Sequence, residues 1–236
     1  MSPYRSHGAA PPYTGSRIDR IGVVVPVHDD EQALEQCLDA LDVAVSRVAV
    51  PVSVIVVLHA CTDDSAAVVR GFPASGTDTI VVDACHVGSA RAAGMAELLR
   101  KYGEAGTWLA TTDGDAVVPP NWLSAQLRHA DSGARVVAGT VKVQGGGDRS
   151  ATAGGRVRND SRRLHGANLS FAASAYCATE GFRPVERDED VLLVEAFKAN
   201  AEPIAWAIDL AVVTPARRRR SARVHGVTDQ RAVAPR

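Results

Sequence analysis

Short apolar runs alternate with segments of helical spacing along the first 143 residues of the chain. The runs are rich in residues that favour buried strands, and they begin at Ile21, Val52, Thr79, Trp108 and Arg135. Between successive runs lie candidate helices, of which Leu34–Val45 has the clearest apolar face. This unbroken alternation predicts a doubly wound α/β sheet that is mostly parallel and flanked by helices.

The pattern changes after Val143. Gln144–Asp160 carries five glycines and no sustained apolar pattern, which predicts either a mobile functional loop or plain disorder. Beyond it, the sequence predicts a helix that opens at Asp188 and two closing strands, Ile204–Ile208 and Leu210–Val213. We expect one domain over residues 18–225, made of halves 18–143 and 161–225 around the loop 144–160, with disordered tails at 1–17 and 226–236.

Composition limits the class of protein. Hydrophobic residues make up 46% of the 236 residues and charged residues 22%, so a large buried core is expected. A net charge of −1 gives no reason to expect nucleic acid or an anionic membrane as partner. No stretch approaches the about 18 consecutive apolar residues of a membrane span, and the first residues lack the apolar segment of a secretion signal. The four cysteines form no C-x-x-C pair, which predicts reduced thiols and a cytoplasmic protein.

Two carboxylates directly follow the fourth apolar run. In Trp108–Trp122, WLATTDGDAVVPPNW, that run stops at Asp113-Gly114-Asp115. The carboxyl ends of strands are where open α/β sheets bind ligands. Crowded carboxylates repel each other unless a cation lies between them, so the pair is a candidate metal site. The alternative is a solvated Asp-Gly turn without a function.

Two common nucleotide-binding motifs are missing from the sequence. No G-x-G-x-x-G follows the first predicted strand, which counts against a dinucleotide-binding domain. No G-x-x-x-x-G-K-[ST] occurs, which excludes a P-loop. A nucleotidyltransferase also combines an α/β sheet with metal-binding carboxylates and stays an alternative. It would normally carry a Gly-rich basic loop after the first strand, and Pro26–Glu31 is neither Gly-rich nor basic.

Five segments of the chain occur in the order found in one known family. They are Val24–Glu31, Cys61–Ser65, Gly88–Gly94, Asp113–Asp115 with Pro119–Trp122, and Gly166–Phe171 followed by Gly181-Phe182 and Glu189–Val191. Each segment is a weak signal alone, but five in series between Ile21 and Arg217 are a strong one. On these segments the chain resembles the family-2 glycosyltransferases of the GT-A fold, the fold of nucleotide-diphospho-sugar transferases.

The resemblance implies an inverting, metal-dependent transfer of a sugar from a nucleotide-diphosphate sugar to an acceptor hydroxyl. A hard cation that neutralises the departing diphosphate would be Mg²⁺ or Mn²⁺, and by resemblance its ligands would be Asp115, Asp113 and His225. The resemblance also implies that residues 18–143 form a donor half and residues 161–225 an acceptor half. The implied donor contacts are Pro26, His28, Asp30, Leu58, Arg91 and Asp113. The implied acceptor contacts are Gly166, Asn168 and Glu189, and the implied general base is Asp190.

Several of these assignments have simpler alternatives. The acids Asp188-Glu189-Asp190 could equally be an acidic helix N-terminus, which the helix dipole favours. A lone histidine in a basic stretch, such as His225, is more often plain surface. Arg217–Arg220 is either a solvated charge run or a clamp on the diphosphate. A non-catalytic nucleotide-sugar-binding module is the main alternative function, and the presence of Asp113, Asp115 and Asp190 argues against it.

Two positions depart from the family pattern. Leu58, followed by His59, stands where many members place an aspartate that contacts uracil. Ala92 stands where the family segment has asparagine. We therefore expect no strong preference for UDP over other nucleoside diphosphates, or a preference for GDP.

Overall fold

The computed structural model describes residues 17–72, 76–144 and 166–215. These residues form the strands β1 (Arg20–Val27), β2 (Val52–His59), β3 (Thr77–Val82), β4 (Thr107–Thr111), β5 (Val136–Val143), β6 (Leu169–Ala172) and β7 (Ile204–Thr214). They make one sheet in the order β3-β2-β1-β4-β6-β5-β7. β6 is antiparallel to both neighbours, and the other paired strands are parallel. The predicted mostly parallel sheet is confirmed.

Helices cover both faces of this sheet. They are α1 (Glu31–Val45), α2 (Ser65–Gly71), α3 (Val87–Tyr102), α4 (Trp122–Asp131), α5 (Ala173–Cys177) and α6 (Glu189–Ala199), and a 3₁₀ turn at Gly166–Asn168 precedes β6. One face carries α1, α2 and α4, and the other carries α3, α5 and α6. The apolar face predicted for α1 is confirmed, because Leu34, Leu38 and Leu41 are fully buried in the core. The described residues thus form three layers.

The first strand runs past the point where the sequence predicts its end. β1 is buried along nearly its whole length because helices cover both faces, which explains its continuous apolar sequence. A proline at the end of an apolar run predicts the end of a strand, yet Pro26 stays in register with Val57 of β2. Proline has no N–H to donate to the neighbour on the other side. The ladder with β4 accordingly ends at Thr111, opposite Val24.

The sequence pattern does not reveal β6. Leu169–Ala172 is too short to show a strand period, and it directly follows a helical turn. In the structure β6 lies between β4 and β5. The predicted halves 18–143 and 161–225 therefore contribute to a single sheet, since a strand of the second half separates two strands of the first. Their description as donor and acceptor halves stays a prediction.

The two predicted closing strands are one strand, and this prediction was wrong. β7 runs along the edge of the sheet without a turn. Its pairing with β5 slips, because Gly139 faces Ala207 while Thr140 faces Ala211. The residues 208–210 between these pairs form a bulge. Asp209, which interrupts the apolar pattern, lies in that bulge, and the interruption therefore does not mark a strand end.

Several predictions fall outside the described residues. They concern residues 145–160 of the predicted loop, 1–16 and 226–236 of the predicted tails, Arg217–Arg220 and His225. None of the helices in the described ranges is long and apolar enough to cross a bilayer. All four cysteines lie in described ranges, and each is a free thiol.

Candidate functional site

The carboxyl ends of β1, β2 and β4 open onto a cleft of about 2280 Å³. A typical ligand pocket measures ~300–1,000 Å³, so this cleft is large enough to hold more than one small ligand. Most of the residues predicted for the site line it: Pro26, His28, Asp30, Arg91, Asp113, Asp115, Gly166, Glu189 and Asp190. Leu58 does not, because its side chain packs in the apolar core. The next residue, His59, lines the cleft in its place.

The loops after β1 and β2 brace each other through side chain to backbone hydrogen bonds. Asp29 adopts a left-handed backbone with φ 54°, and its carboxylate accepts hydrogen bonds from the backbone N–H groups of Thr62 (2.6 Å) and Asp63 (3.2 Å). The Thr62 N–H is the main reason why the pKa of Asp29 is lowered. In the other direction, the Glu31 N–H donates to the Asp63 carboxylate at 2.9 Å. These bonds fix the turn that presents Asp30 to the cleft.

Asp30, Asp113 and Asp115, which follow the carboxyl ends of β1 and β4, form a carboxylate cluster in the cleft. Burial raises the pKa of Asp30 to about 6, and the negative charges of Asp115 and then Asp113 add to the effect. Burial and the same three carboxylates raise the pKa of the Cys37 thiol, which donates to the Asp113 carbonyl at 3.3 Å. The repulsion among these three carboxylates is relieved when a cation binds between them.

A pH dependence follows from Asp30. A carboxyl whose pKa is raised on folding binds its proton more tightly in the folded state, so its destabilising effect develops as the pH rises from about 4 through about 6. Without divalent cations, the free energy of unfolding of the native chain should fall over this range relative to Asp30→Asn. The difference should be roughly 1 kcal/mol, because solvent screens part of the interaction.

Urea unfolding at pH 4.5 and pH 7.5 measures this effect. Asp42→Asn, an exposed carboxyl on α1, is the matched control and should keep the native pH dependence. If Asp30→Asn and the native chain lose stability equally between the two pH values, the carboxylate cluster does not strain the fold.

The carboxylate cluster fits a metal that takes its remaining ligands from a substrate. Within residues 17–72, 76–144 and 166–215, no three His, Cys, Asp or Glu side chains converge to make a complete metal site. Mg²⁺ is usually bound through one or two carboxylates plus substrate phosphates and waters. Asp113 and Asp115 could supply such carboxylates. His225, the third predicted ligand, lies outside the described residues.

Arg91 joins the carboxylate cluster to the opposite wall of the cleft. Its guanidinium is buried, with only 3% of the side chain exposed, and it bonds to Asp113 at 2.5 Å and to Glu189 at the start of α6. Gly166 makes room for it, because a Cβ there would lie 2.5 Å from the guanidinium. Gly88 allows α3 to approach the segment before α6, since a Cβ there would clash with the Arg183 carbonyl oxygen and lie 3.1 Å from the Glu189 Cβ. This ion triad, in which Asp113 alone is partly exposed, therefore fixes the spacing of the two walls.

Asp190 lies on that opposite wall, beside Gly166. Its Oδ2 accepts a hydrogen bond from the Gly166 N–H at 2.6 Å, and its Oδ1 accepts one from the Val191 N–H at 2.8 Å. Asp188, two residues before Asp190, has a left-handed backbone with φ 63°. Non-glycine residues in this conformation are held there by their surroundings. The start of α6 is thus shaped to carry Asp190 at the cleft.

Asn168 has a structural position under the cleft. Its Nδ2 donates to the carbonyls of Thr140 (2.9 Å) and Leu210 (2.8 Å), and its Oδ1 accepts from the Trp122 indole at 2.9 Å. The side chain is buried and ties the start of β6 to β5, β7 and α4. Any influence on an acceptor would therefore pass through the position of Gly166.

His59 lines the cleft although it is not among the residues predicted for the site. The rings of His28 and His59 stack with centroids 5.2 Å apart. His28 Nδ1 is 3.0 Å from the His59 carbonyl, and His59 Nδ1 is 3.3 Å from the Ala84 carbonyl. Burial, the largest effect, lowers the pKa of His59, so this ring is neutral at physiological pH. A signal was present, because each histidine follows a predicted strand whose end reaches the ligand-binding edge.

Solved structures with the same architecture contain nucleotides and metals. S. aureus TarS 1-349 in complex with UDP-GlcNAc has a TM-score of 0.66 at 16% identity, covering 84% of this chain and 59% of that one. Mannosyltransferase PcManGT from Pyrobaculum calidifontis, in complex with GDP-Man and Mn²⁺, has a TM-score of 0.61 at 20% identity, covering 82% and 56%. Glucosyl-3-phosphoglycerate synthase from Mycobacterium tuberculosis, with Mn²⁺, UDP and phosphoglyceric acid, has a TM-score of 0.59 at 18% identity, covering 84% and 71%.

The similarity to these structures concerns the fold, since all identities are low. The chain spans about three fifths of the length of the first two. No functionally curated protein matches it. The sequence itself matches the family Glycosyl transferase family 2 over residues 22–188. This range includes the loops after β1 and β2, Arg91 and the segment Asp113-Gly114-Asp115. With this match and the shared GT-A fold, the chain belongs to glycosyl transferase family 2.

Proposed function

We propose that this protein transfers a sugar from a nucleotide-diphosphate sugar to an acceptor hydroxyl, with a divalent metal ion and with inversion at the anomeric carbon. One observation carries the proposal. The carboxylate cluster lies on one wall of the cleft and Asp190 on the other, and the ion triad of Arg91, Asp113 and Glu189 links the two walls. Such a cleft presents metal ligands and a base to two substrates at once.

Asp115, with Asp113, would hold Mg²⁺ or Mn²⁺ together with the donor diphosphate. The bound metal would act as a Lewis acid for the departing nucleoside diphosphate. Arg91 neutralises part of the charge on Asp113 and keeps this carboxylate in place. A bound cation would favour the carboxylate form of Asp30, whose pKa burial raises to about 6.

Asp190 would be the general base. The acceptor oxygen forms the new bond to C1 of the sugar as the bond from C1 to the diphosphate breaks, and the hydroxyl proton moves to an oxygen of Asp190. Asp190 can hold this position because the Gly166 and Val191 N–H groups anchor its two oxygens. A single displacement of this kind inverts the anomeric configuration.

The nucleobase of the sugar donor is not expected to be a uracil that is recognised by a carboxylate. Leu58 is buried in the core, and the surface beside it is provided by the stacked rings of His28 and His59. A neutral imidazole offers one donor and one acceptor, and its face stacks on any base. We therefore propose that UDP is not strongly preferred over other nucleoside diphosphates, or that GDP is preferred.

A thermal-shift panel tests the proposed donor class. UDP, GDP and dTDP sugars are added with and without Mn²⁺, and the midpoint of unfolding is recorded. A ligand that binds only the folded state at about 100 times its dissociation constant stabilises it by ~2.7 kcal/mol, which is easily seen. A donor that acts only with Mn²⁺ supports the proposal. A UDP sugar that binds a hundredfold more tightly than its GDP counterpart contradicts the proposed base preference.

Asp115→Asn should remove the metal-dependent part of donor binding. The amide keeps the size of the side chain but loses the charge that a hard cation requires. We expect donor affinity in Mn²⁺ to fall by a factor of ~10–100. Loss of a residue that only hydrogen-bonds to a metal ligand already has an effect of this size, and loss of the ligand itself should have at least as large an effect. Isothermal titration with and without EDTA measures it, and Asp42→Asn on α1 is the control. Affinity that neither EDTA nor Asp115→Asn changes would mean that donor binding uses no metal site. Affinity that EDTA lowers and Asp115→Asn does not would mean that the metal is held by other residues.

A further inference from the structure

Two large apolar side chains on the edge strand β7 face the cleft. Trp206 is 48% exposed and Ile208 is 72% exposed. Both line the cleft, whereas the intervening Ala207 is buried. Exposed apolar side chains that adjoin one another and line a cleft commonly mark a binding surface.

The bulge in β7 accounts for the exposure of Ile208. Pairing with β5 is regular up to Ala207 and resumes at Ala211, so Ile208 has no partner in the ladder between Gly139 and Thr140. The Thr140 hydroxyl is 3.4 Å from the Ile208 carbonyl, which closes the bulge. Bulges next to active sites commonly redirect a side chain. Here the bulge coincides with an isoleucine side chain exposed in the cleft.

The surroundings make a shallow apolar floor. Trp206 lies opposite Ala138, a small residue that leaves the indole uncovered from that side. The Lys198 ammonium on α6 lies 5.6 Å from the centre of the indole ring and orients it. We call Ala138, Trp206 and Ile208 the apolar platform. It lines the same cleft as Gly166 and Asp190.

We propose that the apolar platform binds the apolar body of the acceptor, while the acceptor hydroxyl reaches Asp190. The acceptor would then be an amphiphile in which an alkyl or aryl group adjoins the hydroxylated part. This inference rests on the proposed function, because it extends the acceptor side of the same cleft. Contact with an apolar group would cover the two most exposed apolar side chains of the cleft, which a small sugar would leave in water.

Tryptophan fluorescence can report on the platform directly. Trp108 and Trp122 are 1% and 0% exposed, so Trp206 is the tryptophan whose emission responds to a ligand. The probes are octyl β-glucoside below its micelle concentration, phenyl β-glucoside and glucose. We expect a blue shift with one or both glucosides and no shift with glucose. The octyl and phenyl titrations decide between an alkyl and an aryl group.

Two matched variants locate the binding. Ile208→Ser should weaken the binding of the effective glucoside about tenfold, the factor expected when one large apolar contact is lost. Val81→Ser is the control, since Val81 is 78% exposed on β3 at the other edge of the sheet, and it should leave binding unchanged. Because the probes need neither metal nor sugar donor, the result is independent of whether the protein turns over the proposed donors.

Three outcomes overturn the proposal. They are equal shifts with glucose and the glucosides, equal affinity in Ile208→Ser and Val81→Ser, and a dimer of the native chain that Ile208→Ser dissociates in analytical ultracentrifugation. The last outcome would assign the platform to a contact between two copies of the chain.

Discussion

Replacement of Asp190 by asparagine should lower the turnover number by a factor of ~10²–10⁴, the usual contribution of a positioned general base. In terms of the activation barrier this is on the order of 3–5 kcal/mol. Asparagine keeps the size of the side chain and can still accept the Gly166 N–H, but it cannot take up a proton from the acceptor. Donor and metal binding should therefore stay nearly unchanged, so the loss appears in kcat and not in the donor KM.

Asp188→Asn is the matched control for this experiment. Asp188 lines the same cleft two residues earlier, and asparagine tolerates its left-handed backbone as well as aspartate does. The control removes the same charge and should keep most of the activity. Full activity in Asp190→Asn, or a product that retains the anomeric configuration of the donor by NMR, would rule out Asp190 as the base of an inverting reaction. Measurable donor binding with no turnover in the native chain would favour the non-catalytic module instead.

Replacement of Arg91 by methionine should destabilise the fold by ~3–5 kcal/mol, because it leaves the buried Glu189 and the partly exposed Asp113 without their cation. Glu189 is 7% exposed and relies on Arg91 for charge compensation, and Asp113 loses its ion pair as well. Methionine fills much of the same space, so the loss measures mainly the stranded charge. Since native domains are stable by about 5–15 kcal/mol, this is a large share of the total.

Urea unfolding measures the effect, and Arg100→Met is the control. Arg100 pairs with Glu97 on the surface of α3, with 70% of its side chain exposed, and such pairs contribute about 0–1 kcal/mol. The double variant Arg91→Met with Glu189→Gln should recover part of the lost stability, since the stranded carboxylate is removed. Equal losses in Arg91→Met and Arg100→Met would show that the triad does not hold the two walls together.

The sequence predicts the parts of the fold that have a strong local signal. β1, β2 and β4 are continuous apolar runs, because both of their faces are buried, and the helices between them have a clear period. The same approach places the carboxylates correctly at the cleft, since a residue just after a buried parallel strand must reach that edge of the sheet. The other residues of the candidate site, among them Arg91, Gly166 and Asp190, follow from the resemblance to the family and not from the strand pattern.

Long-range features leave no such signal. β6 is four residues long and is defined by its two neighbours, and the bulge in β7 depends on its register with β5. The ion pair of Arg91 with Glu189 joins residues far apart in the chain, and nothing in either local sequence specifies it. At Leu58 the sequence predicts a contact that the structure does not show. Its place in a family motif implies a ligand contact, but its position in β2 puts the side chain in the core.

The insertion of β6 between β4 and β5 constrains the order in which the chain can assemble during synthesis. When residues up to Val143 have left the ribosome, β4 still lacks one neighbour and β5 lacks both. At about 5–20 residues per second, Ala172 follows on the order of seconds later. Unpaired strand edges are templates for pairing with other chains. The nascent chain therefore passes through an interval in which aggregation competes with sheet completion, and expression of residues 18–143 alone would make that interval permanent.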